Sequence, residues 1–459
     1  MNNIKVKPLA IVTLITLLLA WLNPLALTSS QNIVLAGLFF TVGVWATGAF
    51  HKTLACLFLL LVFILFGQTS PWTVVSFLWS DVILLIATTT LLSVGMMKAG
   101  IIDRFVESLF RRCSGNTLLL LLLPYALGLI MIFLIPQAFA RVIIIGTIFN
   151  QLLKDNDQAS HKTKQFLIFN GFMAISMTYM FFNNGDIVLN GAALNFAGPE
   201  VQSVLTFERW FTLMSVPTLA TCLLVLGLSY FLFRQEIQNF KPSMIVKPSQ
   251  KSLEMSAQTK NILILVMLVI IGCWMSESIH HLRPWIPALL GVILMFVLGV
   301  LKQEDLKSVN PHFLIFLITV FLIGKVLGQT GITGQLFEKL TTMIPETSSA
   351  FYLFLIIAVI MGLHICIGSA VATMSVTLPI MIPLLVNQGY QAEMITLMTY
   401  IIVNIHFLFP YHHATLMIGT AKGYYPDQYM LRFGLVMTVV IFAIFALLYF
   451  PWWHLMGIL

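Results

Sequence analysis

From Leu9 onward the chain is a succession of apolar runs long enough to cross a bilayer, joined by short polar loops. A span needs roughly 20 apolar residues, because the hydrocarbon core is ~30 Å thick and a helix rises ~1.5 Å per residue. Lipid offers no partner to backbone N–H and C=O groups, so such runs fold as helices that satisfy themselves. With 59% hydrophobic and 9% charged residues, the chain has no room for a large soluble domain. The fold class is an all-α polytopic membrane protein, with about 11 transmembrane helices at this span length.

A net charge of +7 does not here call for nucleic acid. The basic residues collect in loops on one side, as the topology below requires. Cys56, Cys113, Cys222, Cys273 and Cys366 are scattered and form no Cys-x-x-Cys pair. Neither a metal site nor a disulfide framework follows, and no cofactor is implied. Lys5, Lys7 and the run Leu9 to Leu22 have the make-up of a signal peptide. The charge count favours an uncleaved first span.

Spans are expected at 9–27, 32–49, 53–69 and 73–97, before an amphipathic piece at 99–113. A broken hairpin at 117–153, an interrupted segment at 166–197 and a span at 209–233 follow. The longest polar stretch, 234–260, holds Lys241, Pro242, Lys247, Pro248, Lys251 and Lys260 and reads as a linker between two halves. Spans at 261–279, 285–301 and 312–328 come next, then an amphipathic piece at 330–345. A second broken hairpin (349–386), an interrupted segment (393–424) and a last span (428–456) complete the chain. The expected organisation is scaffold helices in 1–69, a first repeat in 70–233, a linker in 234–260, scaffold helices in 261–301 and a second repeat in 302–459.

Three matches in the same order carry the repeat. Lys98-Ala-Gly-Ile-Ile corresponds to Gln329-Thr-Gly-Ile-Thr, Ala138-Phe-Ala-Arg to Ala370-Val-Ala-Thr, and Asn183-Asn-Gly-Asp to Tyr411-His-His-Ala. Topology makes the repeat inverted. With the N-terminus inside and each hairpin returning to its own side, 18 of the 24 lysines and arginines face the cytoplasm. Arg209, Arg283 and Lys339 fall outside, and Arg432 is ambiguous. The expected location is the plasma (inner) membrane, with a cytoplasmic N-terminus and an external C-terminus.

Chemistry concentrates at the breaks. Ile135 to Thr147 reads Ile-Pro-Gln-Ala-Phe-Ala-Arg-Val-Ile-Ile-Ile-Gly-Thr, placing Gln137 and Arg141 between two half-length apolar runs. Two half-helices meeting at a polar break are how secondary transporters build a substrate site. An arginine at that depth is expensive unless it meets an anion, a cavity or a buried carboxylate. Three readings stand for Arg141: a direct role in an anion site, a structural pair with Asp186, and snorkelling from a helix end.

The second hairpin contains His364-Ile-Cys-Ile-Gly-Ser-Ala-Val-Ala-Thr-Met-Ser-Val-Thr-Leu-Pro. Gly368-Ser369 breaks it, and Thr373, Ser375 and Thr377 supply hydroxyls. Helix N-terminal amides at such a break suit an anion and free carbonyls suit a cation, but small residues also serve helix packing. Asn183, Asn184, Gly185 and Asp186 interrupt one later segment, and Phe409, Pro410, Tyr411, His412 and His413 the other. A polar run within a span is tolerated where it is buried in protein or lines a cavity. Adjacent histidines on a helix are poorly placed to share zinc. His364, His406, His412 and His413 could take protons near neutral pH, while a hydrogen-bonded structural role is the commoner fate of a single histidine. Lys325 lies near a span end and reads as snorkelling.

This pattern resembles the divalent anion–sodium symporter family of di- and tricarboxylate and sulfate carriers. The likeness covers nearly the whole chain: two inverted halves, each with an interfacial helix, a re-entrant hairpin and an unwound helix. Ser369-Ala-Val-Ala372-Thr373 followed by Leu378-Pro379-Ile380 is similar to the family's Ser-Asn-Thr-Ala-Thr type motif. The first hairpin departs from it, reading Gln137-Ala-Phe-Ala140-Arg141, and neither hairpin has the asparagine. The resemblance implies transport of a small anion by alternating access and a homodimer, and the residues at the breaks put the candidate site at Gln137, Arg141, Asn183, Asn184, Asp186, Ser369, Thr373, Tyr411, His412 and His413. In the family the Ser-Asn-Thr motifs serve both carboxylate and sodium. Arg141 at the motif's final position is therefore expected to stand in for a sodium ion, giving sodium-independent exchange or proton coupling.

The alternatives are a sodium-coupled symporter of the same family, an arsenite or cation permease of the same architecture, and a membrane-embedded enzyme. The sequence has no His-Glu-x-x-His and no Gly-x-Ser-x-Gly, and no Walker motif for an ATP-driven pump.

Overall fold

The computed structural model describes residues 6–100, 106, 108–110, 112–113, 116–135, 137–154, 160–237, 255–276, 280–335, 339, 350–409 and 412–459. Among these, every regular element is helical. The chain is an integral, multi-pass membrane protein. Pro71–Ala99, Phe207–Leu232, Ala257–Trp274, Pro311–Gln329 and Asp427–Leu455 are long and apolar enough to cross a membrane on length and composition, and shorter apolar helices surround them.

Four helices open the fold: α1 (Val6–Leu22), α2 (Ser29–Thr47), α3 (Lys52–Phe66) and α4 (Asp81–Ala99). Local chemistry fixes their ends. Thr28 and Gln31 form a capping box before α2, and Gly48 closes it at a left-handed φ of 57°. A first hairpin consists of α5 (Thr117–Ile132) and α6 (Ala138–Lys154). The interrupted segment behind it is α7 (His161–Thr178), a tight turn Tyr179–Phe181 and α8 (Leu189–Ala197). Then comes α9 (Phe207–Leu232).

The rest of the chain follows the same order. It has α10 (Ala257–Met275), α11 (Trp285–Val297) and α12 (Pro311–Gln329), then a hairpin of α13 (Ala350–Ile367) and α14 (Ala370–Val386). The second interrupted segment is α15 (Ala392–Ile405) and α16 (Ala414–Ala421). The last helix, α17 (Asp427–Ile444), passes through a π turn at Phe445–Tyr449 into Phe450–Leu455.

Two scaffold pairings brace the hairpins. Helix α4 packs along α11, and α3 along α12. Arg283 meets Asp81 at 3.1 Å at one end of the first pair, and Lys98 meets Asp305 at 2.7 Å at the other, so α4 and α11 run parallel. Thr53 and His312 meet at 3.1 Å where α3 and α12 begin.

The hairpins exchange partners. Helix α6 packs on α7 but also on α16 from the far half, while α14 packs on α15 and on α8. Each re-entrant helix is thus wedged against the short helix beyond the other half's interruption. Small residues permit the closest approaches: a Cβ at Gly128 of α5 would lie 2.3 Å from the Thr178 hydroxyl of α7.

Much of the expected amphipathic piece 99–113, and most of 330–345 and of the 234–260 linker, lie outside the described residues, as do Pro136 and Tyr411. One placement differs from the expectation. The break in the first hairpin falls between Ile132 and Ala138, so Arg141 sits inside the first turn of α6 rather than in the break itself.

Candidate functional site

The ends of a broken helix leave carbonyls and amides without partners, and in a membrane protein those groups must be met by side chains. The first interruption is met in full view. Asn190 donates to the Tyr179 carbonyl (3.2 Å) and the Phe182 carbonyl (2.7 Å), and the Trp210 indole donates to Met180 O (3.0 Å). Arg141 donates through Nη2 to Gly185 O. Asp186 accepts through Oδ1 from the Ala138 amide at 3.4 Å, capping the first amide of α6. The loop 182–188 and the start of α6 are stitched together from both directions.

Arg141 and Asp186 are both fully buried. They are not an ion pair: no guanidinium–carboxylate contact within 4.0 Å joins them among the described residues. Arg141 Nε and Nη1 and Asp186 Oδ2 make no hydrogen bond. The guanidinium lies in the electrostatic reach of Asp186, Tyr179 and Tyr400. A buried cation with two donor nitrogens unspent, in the N-terminal turn of a helix, is chemically suited to an anion with several oxygens.

Gln137 sits in the hairpin break and ties it to α4, donating through Nε2 to Thr90 Oγ1 (2.6 Å) and Ile86 O (3.2 Å). A cavity of about 270 Å³ opens beside it, lined by Ile86, Thr90, Gln137, Phe139, Asn310 and Phe313 among others. A larger, apolar groove along α13 and the C-terminal helix is lined by none of the candidate residues. Asn183 and Asn184 are half-buried at the interruption.

In the second hairpin, Gly368 supplies the left-handed turn (φ 69°) that separates α13 from α14. Ser369 is half-buried and caps α14, accepting from Ala372 N at 3.5 Å. Thr373 is buried and donates to Ser369 O at 2.8 Å. Both hydroxyls are partly engaged in holding the break's backbone.

His412 and His413 are buried, and they belong to different networks. His413 faces the first half: its Nε2 is 3.0 Å from the Tyr179 hydroxyl, which donates to Asn404 Oδ1 at 2.5 Å. Its Nδ1 is 2.7 Å from Thr415 Oγ1, itself 2.8 Å from Ser176 Oγ. The Asn404 amide donates to Tyr400 O (2.7 Å), and the Tyr400 hydroxyl to Asn190 Oδ1 (2.7 Å). His412 instead accepts from Leu408 N at 3.1 Å and stacks near His364, centroids 5.3 Å apart.

Tyr179, Tyr400, Asn190, Asn404 and Thr90 join the candidate residues although the sequence reading passed over them. Their spacing along the chain carries no mark of what they face across the fold. Two buried tyrosines flanking interrupted segments were the available signal.

A family model described as the sodium:sulfate symporter transmembrane region matches residues 3–459. The Arabidopsis thaliana protein called dicarboxylate transporter 2.1, chloroplastic, is 26% identical over 246 residues, half of this chain and 42% of that protein. The chain therefore aligns with under half the length of that relative. In fold, the structure is similar to the Alcanivorax borkumensis YdaH transporter at a TM-score of 0.54 and 14% identity, over 83% of this chain and 89% of that one. Neisseria gonorrhoeae MtrF gives a TM-score of 0.48 and 16% identity over 92% and 95%. With the family's pattern matched from end to end, the chain belongs to the sodium:sulfate symporter family of secondary transporters.

Proposed function

We propose that the protein carries a small di- or tricarboxylate, or sulfate, by alternating access, and that Arg141 serves as a tethered positive charge in place of a sodium ion at the first hairpin. The observation that carries this reading is the buried guanidinium with Nε and Nη1 unspent beside the first interruption. The substrate would lie between the breaks, with Gln137, Arg141, Asn183, Asn184 and Asp186 from one half and Ser369, Thr373, Tyr411, His412 and His413 from the other. Coupling would then be exchange of anions or a proton, not sodium at that site. The relative named a dicarboxylate transporter and the family's sulfate description support the substrate class.

Sidedness rests on charge. The helix ends that carry Lys52, Lys98, Lys302 and Lys307 gather on the face read as cytoplasmic, as the positive-inside rule asks. The family resemblance implies a homodimer, and the plasma (inner) membrane is the proposed location.

The test is uptake of labelled succinate, citrate and sulfate into liposomes holding the purified protein, under a sodium gradient, a pH gradient or trapped unlabelled anion. Uptake driven by trapped anion or by pH supports the tethered cation. Uptake that requires sodium supports the second reading, a sodium-coupled symporter, which the family's own description favours.

A further inference from the structure

Beside the second hairpin, His412 belongs to a cluster of three buried rings, of which His364 and His406 have no part in the substrate site proposed above. His364 lies in the last turn of α13, and its carbonyl accepts from the Gly368 amide at the hairpin break. His406 closes α15 and His412 lies across the interruption. The His364 ring is 5.9 Å from that of His406 and 5.3 Å from that of His412, centroid to centroid. All three are buried.

A histidine kept for structure spends its ring nitrogens, one as donor and one as acceptor. His413 does so, between Tyr179 and Thr415. His406 does not, for neither nitrogen of its ring has a hydrogen-bond partner, and the His364 ring meets only the backbone of His412. Among the described residues, no group of three or more His, Cys, Asp or Glu has the geometry to hold a metal. The remaining chemistry of a buried imidazole cluster is to take up a proton.

We propose that His364, His406 and His412 together form a proton-binding site, loaded when the anion binds, so that one proton crosses with the substrate. This deepens the transport reading above and rests on it. The charge inventory supplies the reason. In the first half Asp186 lies within the electrostatic reach of Arg141 and offsets part of its charge, so a dianion held there keeps negative charge for a second positive group to meet.

The groups acting electrostatically on the three rings are one another and His413. Helices α2, α14 and α16 bring no ionisable side chain. Helix α15 brings Glu393, which is paired with Arg209, and Tyr400, which is bonded to Asn190. Tyr352 and Cys366 of α13 and Asp427, Tyr429 and Arg432 of α17 are not among the groups that act on them. With no carboxylate among the described residues to hold it there beforehand, the proton waits for the substrate's negative charge. Linkage makes the effect reciprocal: if the anion raises the cluster's proton affinity, protonation raises anion affinity by the same factor. The rings are close enough that a second charge would be repelled, so the cluster carries one proton.

The experiment measures proton uptake with a pH-indicator dye as succinate or sulfate is added to purified protein in weak buffer, together with uptake into liposomes. The wild type is expected to take up close to one proton per anion bound. In His364→Gln and His406→Gln, and in the double variant, that uptake should vanish. Transport driven by a pH gradient should fall about tenfold, within the usual span of site–site coupling, while exchange against trapped anion persists. Unchanged proton uptake in a folded double variant overturns the assignment. If the variants do not fold, the wild type decides: anion affinity that is independent of pH, with no proton taken up, overturns it. Exchange without proton uptake removes the proton site and spares the transport reading, whereas no binding or uptake of any anion under any gradient removes both.

Discussion

Replacing Arg141 by methionine removes the donor to Gly185 O and leaves Asp186 as an uncompensated buried carboxylate. Taking away the cation in electrostatic reach of a buried carboxylate costs up to the ~3–5 kcal/mol of a broken buried pair, and an orphaned buried carbonyl adds ~1–3 kcal/mol. Direct attraction between the two charges has an upper bound. At 4 Å and an effective dielectric constant of 20 it is about 4 kcal/mol, and this pair is farther apart than that.

The double variant Arg141→Met, Asp186→Asn removes both charges while asparagine can still accept from the Ala138 amide. Its loss of stability should be smaller than the sum of the single losses by about 2 kcal/mol, a coupling typical of neighbouring charges. Intrinsic tryptophan fluorescence on heating in detergent measures all four proteins, and liposome uptake measures their function. Stability should recover in the double variant while anion transport does not. Transport that recovers along with stability would refute an anion role for Arg141 and leave it as the partner of Asp186. Strictly additive losses would refute the coupling.

Other outcomes follow from single contacts. Gly185→Ala places a Cβ 1.9 Å from the Tyr179 carbonyl oxygen, which Asn190 already holds, so the loop must shift and Arg141 loses its acceptor; anion affinity should fall at least tenfold, equivalent to the ~1.5–3 kcal/mol of a charged hydrogen bond, read by isothermal titration. Tyr179→Phe orphans Asn404 Oδ1 and His413 Nε2 and should lower stability by ~1–3 kcal/mol in the same melting assay. Outside the spans, the Lys98 ammonium holds the Asp305 carboxyl below the usual carboxylate range. A depressed folded value stabilises above the unfolded pKa of ~4 and is lost as pH falls from there through the folded value. The melting temperatures of wild type and Asp305→Asn should therefore differ slightly at pH 7, by the ~0–1 kcal/mol of a partly exposed pair, and converge toward pH 3.

The helices and both hairpins were legible because apolar runs and polar breaks are local signals. Gln137, Arg141 and Asp186 stood out for the same reason, since a polar residue among leucines and isoleucines needs a partner. What each one faces was not local. Arg141 reads as part of the break because proline and glutamine precede it, yet the helix restarts at Ala138, where the Asp186 carboxylate, 48 residues along the chain, caps the first amide. The hydroxyls of Ser369 and Thr373 look like ligands in sequence, and the structure uses them on the hairpin's own backbone. Tyr179 bonds Asn404 across 225 residues, a relation no spacing rule contains.

The exchange of partners between the halves bears on how such a site could work. Because α6 leans on α16 and α14 on α8, neither hairpin can shift without disturbing the other half's interruption. The chain from Ser176 through Thr415, His413 and Tyr179 to Asn404 crosses the same boundary. Asn404 donates its amide to Tyr400 O, so its Oδ1 must accept from Tyr179; the tyrosine oxygen then accepts from His413 Nε2, and His413 Nδ1 is bonded to Thr415. The Tyr179–Asn404 bond thus fixes Nε2 of His413 as a donor to the tyrosine oxygen. Of the two adjacent histidines, His413 is therefore held as a tie between the halves, and His412 is left to the ring cluster beside the second hairpin.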